Sequence, residues 1–176
     1  MASAYPYLMS SLPMLSFGAK PPFEFNDFLE NCRDLIPDED FKLLSLCADK
    51  DLLENAVSQS TLKQWIAFET GLRNELVKIR ASRRKIDPEK YLRPDGSGDT
   101  ALYHIAMNSH RMPSILESEK SLDAARWHRL EELSFGHYFD PDALIVYGLK
   151  LLILWRWENA SRIDKPQMLD KVLSAI

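Results

Sequence analysis

A chain of 176 residues, 45% hydrophobic and 27% charged, has the composition of a globular protein. It is long enough to bury roughly 70% of its unfolded-chain surface. Its net charge of −4 argues against a dominant field for nucleic acid or an anionic membrane, and six glycines are too few for Gly-rich phosphate loops or a fold of many tight turns. The two cysteines, Cys32 and Cys47, exclude a disulfide-dense scaffold and a four-cysteine zinc site. Both sit in apolar helical patterns and read as buried thiols of a reduced, cytoplasmic protein.

Residues 1–24 carry Pro6, Pro13, Gly18, Pro21 and Pro22 and are expected to be irregular or extended. The opening M-A-S-A-Y-P-Y-L-M has no basic n-region, and Pro6 and Pro13 interrupt its apolar stretch, so it does not read as an export signal. Asn26 is expected to cap a first helix whose apolar positions are Phe28, Leu29, Cys32, Leu35 and Ile36. Pro37 closes it, and Asp38, Glu39 and Asp40 open a second, carrying Phe41, Leu43, Leu44 and Cys47. Leu52, Leu53, Ala56 and Val57 form a short third piece. Ser60 or Thr61 caps a long fourth helix over about 61–85. Its stripe of Leu62, Trp65, Ile66, Leu72, Leu76 and Ile79 opposes a face holding Arg73, Lys78, Arg80, Arg83, Arg84 and Lys85.

Asp87-Pro88 starts a short turn through Tyr91 and Leu92, and P-D-G-S-G-D at 94–99 is the clearest loop. Asp99 caps a helix through Leu102, Ile105, Ala106 and Met107. Pro113 and Ser121 each restart a helix, the second carrying Leu122, Ala125, Trp127, Leu130 and Leu133, and Gly136 ends it. The most apolar stretch runs from Asp140 to Trp157. Asp140 is its cap, Pro141 its first helical residue, and Lys150 the only charge between Ala143 and Trp155. Ala143 to Trp157 is 15 residues, against the about 20 that a membrane span needs, so it reads as a buried core helix. Asp164 and Pro166 introduce a last short helix with Met168, Leu169, Val172 and Leu173. No strand alternation survives over five residues. The fold class is therefore all-α, a multi-helix bundle of six to seven helices behind an irregular N-terminal segment. It forms one domain over 1–176, with the 94–99 loop as the candidate divide between two helical halves.

Chemistry is hard to find. The 94–99 loop lacks the G-K-[ST] ending of a phosphate cradle and follows no strand. His104, His110, His128 and His137 show no metal spacing, and no G-x-S-x-G elbow or Cys-His pairing occurs. Glu131 and Glu132 are adjacent on a helix and point in different directions. No catalytic, cofactor or metal site is expected. Charge is more informative. Residues 1–60 hold ten acids and four bases, a net of −6, and residues 61–93 hold nine bases and four acids, a net of +5. The basic stretch centres on K-I-R-A-S-R-R-K at 78–85. It reads either as the solvated C-terminal end of a helix, favoured by the helix dipole, or as a surface for an acidic protein partner. No aromatics interleave with it to stack bases, which counts against nucleic acid. Trp155 and Trp157 lie two apart and cannot share one core stripe. One of them, flanked by Arg156, is a candidate contact anchor.

Three stretches resemble one uncharacterised bacterial family: Y-P-Y-L-M-S-S-L-P-M-L-S-F-G from Tyr5, W-I-A-F-E-T-G-L-R-N-E-L-V-K-I-R-A from Trp65, and G-H-Y-F-D-P-D-A-L-I-V-Y-G-L-K-L-L-I-L-W-R-W from Gly136. Genes of that family commonly lie beside those of bacterial V/A-type ATPases. A shorter likeness is to the central-stalk C subunit (d in eukaryotes) of these rotary ATPases, an all-helical funnel. It rests on Tyr5-Pro6-Tyr7, on Tyr147, Leu149 and Lys150, and on Arg156, Glu158 and the helix from Pro166. This chain is much shorter than such a subunit.

The resemblance implies a non-catalytic accessory or central-stalk (C/d-like) subunit of a V/A-type, hydrogen-ion-transporting ATPase or ATP synthase, coupling the soluble motor to the membrane ring. Its partners would be the central-stalk and membrane-ring subunits, without nucleic acid and without direct membrane insertion. It would be cytoplasmic, held at the inner membrane through the complex. The expected contact residues are Arg73, Lys78, Arg80, Arg83 and Arg84, with Trp157. Two other readings stand beside this one. A free-standing helical regulatory domain would bind a different partner. A small helical enzyme would show a deep polar pocket with His104 or His128 beside a carboxylate.

Overall fold

The structure is a computed structural model that describes residues 4–49, 52, 58–94 and 99–163. It is all-α, as the periodicity predicts: seven α-helices and one 3₁₀ turn, with no strand among the described residues. The helices are α1 (Tyr5–Ser11), α2 (Phe25–Cys32), α3 (Asp38–Leu46), α4 (Ser60–Arg84), α5 (Thr100–His110), α6 (Ile115–Leu133) and α7 (Pro141–Ile163), with the 3₁₀ turn at Glu89–Tyr91. Of the expected third piece only Leu52 is described, and the expected terminal helix from Pro166 lies outside the described residues.

The chain forms two compact units, residues 1–48 with 136–176, and residues 49–135. The expected divide at 94–99 falls inside the second unit. The helices on either side of that loop pack together, Leu72 and Ile79 of α4 sharing one core cluster with Leu102 and Ala106 of α5.

In the first unit α7 packs on α2 and α3. Asp140 caps it through Oδ1, which accepts from Ala143 N–H at 2.9 Å, and Pro141 costs nothing at a position whose N–H has no helical partner. Leu144, Ile145, Val146, Leu149, Leu151, Ile153 and Leu154 are all buried, so α7 is a core helix. No described helix is long and apolar enough to cross a membrane. The segment expected to be irregular contains one short helix, α1, because Pro6 lies in its first turn, where proline is tolerated. Residues 12–24 are non-helical. Polar tips of one buried and two half-buried aromatics hold this N-terminal stretch. Tyr5 Oη donates to Asp40, Tyr147 Oη to Pro13 O at 2.9 Å, and Trp155 Nε1 to Phe23 O. Helix α2 starts two residues earlier than expected, with Asp27 accepting the Glu24 N–H at 3.0 Å.

The second unit packs α4, α5 and α6 around Leu72, Ile79, Leu102, Ala106 and Leu122. Gln59, not Ser60 or Thr61, caps α4, its longer side chain reaching Leu62 N at 2.6 Å. The break expected at Ser121 is absent. Ser114 caps one continuous α6 by accepting from Glu117 N–H at 3.1 Å, and the helix formers between them propagate it. Polar groups are buried here as well as apolar ones. Asn74 exchanges two 2.9 Å bonds with the Arg93 backbone, pinning the segment after the 3₁₀ turn onto α4. Arg126 joins Glu69 at 2.6 Å and Asp123 at 3.0 Å.

Candidate functional site

The last two turns of α4 present Val77, Arg80, Ala81 and Arg84 along one face, at the spacings that place residues together on a helix. Lys85 then takes φ +55°, a left-handed conformation, and its N–H and that of Ile86 both return to Ala81 O. This cap reverses the chain over the end of the helix. The reversal brings Ile86 and Tyr91 beside the arginines, and the end of α5 adds His110. Together with Arg83 these residues line an open groove of about 760 Å³. Ile86 and Tyr91 are 44% and 61% exposed, unusual for apolar surface flanked by so much charge.

Arg80, Arg83 and Arg84 are exposed, and none of them pairs with a carboxylate among the described residues. Three guanidiniums at one helix end partly complement the α4 carbonyls. They also gather three positive charges along the groove.

The expected contact residues therefore separate. Arg80, Arg83 and Arg84 meet in the groove. Arg73 is exposed on the same helix but does not line it, and Lys78 is engaged by Glu75 at 2.7 Å. Trp157 is half-buried on α7, in the other compact unit. Its neighbour Trp155 is packed with Arg162 over its ring at 5.3 Å. Sequence reasoning missed Ile86, Tyr91 and His110. The basic run 78–85 contains no aromatic, yet the turn at Lys85 delivers Tyr91 to its side.

A second open groove, of about 510 Å³, holds His128 near Asp99, Arg129 and Glu132. His128 Nε2 lies 3.5 Å from Glu132 Oε1, but their side chains are 75% and 50% exposed. Among the described residues nothing desolvates or orients a proton-transfer pair there. His104 is exposed and lies edge-on to Tyr103. Cys32 and Cys47 are buried, and burial pushes both thiols up to about 12, away from nucleophilic use at neutral pH.

Among the described residues one trio of metal-type ligands comes together, His137, Asp140 and Asp142, with ligand atoms within 4.8 Å of one another. Its contacts make a helix cap. Asp140 Oδ1 holds Ala143 N–H and Oδ2 holds His137 Nδ1 at 2.7 Å, at the positive end of the α7 dipole. The bond to Asp140 raises the His137 pKa; slight burial opposes it, and the charges of Asp140 and Asp142 add to it. A raised folded pKa means that this bond stabilises the fold fully below the unfolded value of about 6.5 and is lost as pH rises through the folded value. An NMR titration of His137 is expected to show a midpoint above that of a free histidine. Asp140→Asn keeps the capping oxygen and is expected to lower the midpoint; an unchanged midpoint would assign the shift to another group.

Residues 100–170 match the model of a family described as "Protein of unknown function (DUF2764)". The match covers α5, α6 and the described length of α7, and so includes His110 and Trp157 but not the arginines of α4. No curated protein and no solved structure matches the chain.

Proposed function

We propose that this chain is a non-catalytic helical subunit that docks on a V/A-type ATPase, as an accessory or central-stalk component between the soluble motor and the membrane ring. The observation that carries the docking role is the exposed triplet Arg80, Arg83 and Arg84, unpaired by any described carboxylate and set beside the apolar Ile86 and Tyr91. Arginine and tyrosine are the residue types that anchor protein interfaces. The identity of the partner comes from the resemblance of the Tyr5, Trp65 and Gly136 stretches to a family encoded beside ATPase genes.

Charge reversal at Arg80, Arg83 and Arg84 is expected to reduce co-purification with the ATPase from the native host severalfold, with helicity unchanged. All three side chains are exposed, so the fold does not depend on them. Undiminished recovery would remove the arginines from the interface. Absence of even the wild-type chain from ATPase-containing membranes would leave a free-standing regulatory domain with a different partner.

A further inference from the structure

We infer that the groove at the end of α4 takes an acidic polypeptide segment carrying an apolar or aromatic anchor between its carboxylates. The inference deepens the docking reading above and rests on it.

The groove has two chemical halves. Arg80, Arg83 and Arg84 supply forked donors that fit carboxylates two bonds at a time, and they form no carboxylate pair among the described residues. Val77, Ala81, Ile86 and Tyr91 supply an apolar wall, with Ile86 and Tyr91 substantially exposed. A small inorganic anion would use only the first half. It would leave Ile86 and Tyr91 in water, and the three arginines that would hold it are all exposed. A nucleic-acid strand would want several stacking platforms along a basic track, whereas among the described residues Tyr91 is the one Phe, Tyr or Trp ring lining this groove, with only the His110 imidazole beside it. A segment with carboxylates on both sides of an apolar anchor uses both halves at once. Its anchor would cover Ile86 and Tyr91, and its flanking acids would reach the arginines on the α4 face. Excluding water around that anchor also strengthens the flanking ion pairs, which are weak when fully solvated.

The test uses the full chain and a fluorescein-labelled peptide with the core Asp-Glu-Leu-Phe-Glu-Asp, followed by fluorescence anisotropy. Saturable, salt-sensitive binding is expected. Arg80→Gln with Arg84→Gln is expected to weaken it roughly tenfold at low salt. Tyr91→Ser is expected to weaken it severalfold with little change in salt dependence. Arg73→Gln, on α4 but outside the groove, is expected to leave it unchanged. A peptide with Ser for Phe should bind more weakly than the parent. The inference is overturned if the acidic peptide shows no saturable binding, if its Asn/Gln counterpart binds equally well, or if Tyr91→Ser has no effect. Tighter binding of a short oligothymidine, or displacement of the peptide by millimolar inorganic phosphate at constant ionic strength, overturns it in favour of a phosphate ligand.

The two readings fail separately. Peptide binding by a chain that does not co-purify with the ATPase keeps the groove and removes the ATPase. Co-purification undiminished by Arg80→Gln, Arg84→Gln and Tyr91→Ser together keeps the association and removes the groove.

Discussion

Replacing Arg126 by methionine is expected to lower stability by about 3–5 kcal/mol, the cost of removing one partner from a buried ion pair. Arg126 Nε and Nη2 reach the two oxygens of Glu69 at 2.6 and 3.4 Å, and Nη1 reaches Asp123 Oδ1 at 3.0 Å. The side chains of Arg126, Glu69 and Asp123 are 12%, 8% and 0% exposed. Screening by water is therefore small, and the loss should approach the full figure. Methionine fills much the same volume, so the effect isolates charge and hydrogen bonding from packing. Arg126→Lys is expected to fall between, because an ammonium is a point charge and cannot span two carboxylates as the planar fork does. Urea unfolding followed by circular dichroism would read both, with hydrogen exchange in α4 and α6 locating the loss. An unfolding free energy within about 0.5 kcal/mol of wild type would mean that the carboxylates are hydrated in the folded protein.

Gly148→Val is expected to cost about 3 kcal/mol, the upper end of overpacking. A Cβ at Gly148 would stand 3.2 Å from Phe28 Cε1, 3.3 Å from Phe25 Cε2 and 3.4 Å from Leu44 Cδ1. The ring of Phe28 is fully buried and also packs on Tyr147, with centroids 5.2 Å apart, so it has little room to retreat. Alanine poses the closer contest. Its helix propensity exceeds that of glycine by about 1 kcal/mol, against an overpacking cost of about 1–3 kcal/mol. Three close contacts on a fixed wall decide for the cost, so Gly148→Ala is expected to destabilise modestly. Phe28→Leu should relieve it, and the double variant should be less destabilised than the sum of the singles. Additive losses would show that the ring and the glycine do not meet.

These two sites mark how far the sequence can be read. Helix α7 was legible in full at its start, because Asp140 and Pro141 act within one turn of themselves and its apolar run needs no partner to be recognised. Nothing in the local pattern around Gly148 calls for a glycine. Its reason lies on α2, far upstream, and no local pattern announces that contact. Asp123 and Arg126 keep the same i, i+3 spacing whether their face meets water or Glu69, so the local pattern does not mark the pair as buried. The caps at Asp99 and Asp140 were read correctly. Those of α2 and α4 lie one or two residues earlier than expected, because Asp27 reaches back to the Glu24 N–H and Gln59 reaches forward to Leu62 N–H with a side chain longer than the usual capping types. The candidate site divides in the same way. The basic end of α4 was visible as composition, whereas Tyr91, Ile86 and His110 were not.

The sequence by itself determined the all-α class, most of the helices, the burial of α7 and the concentration of positive charge near the end of α4. Each of these follows from periodicity, capping and charge acting within a few residues. Only the tertiary structure decided that the compact units divide away from the 94–99 loop, that Gly148 admits the Phe28 ring, and that three of the expected contact arginines share a groove while Arg73, Lys78 and Trp157 stay outside it. Those outcomes depend on which distant faces meet and on a single left-handed residue, Lys85, that turns the chain back over its own helix.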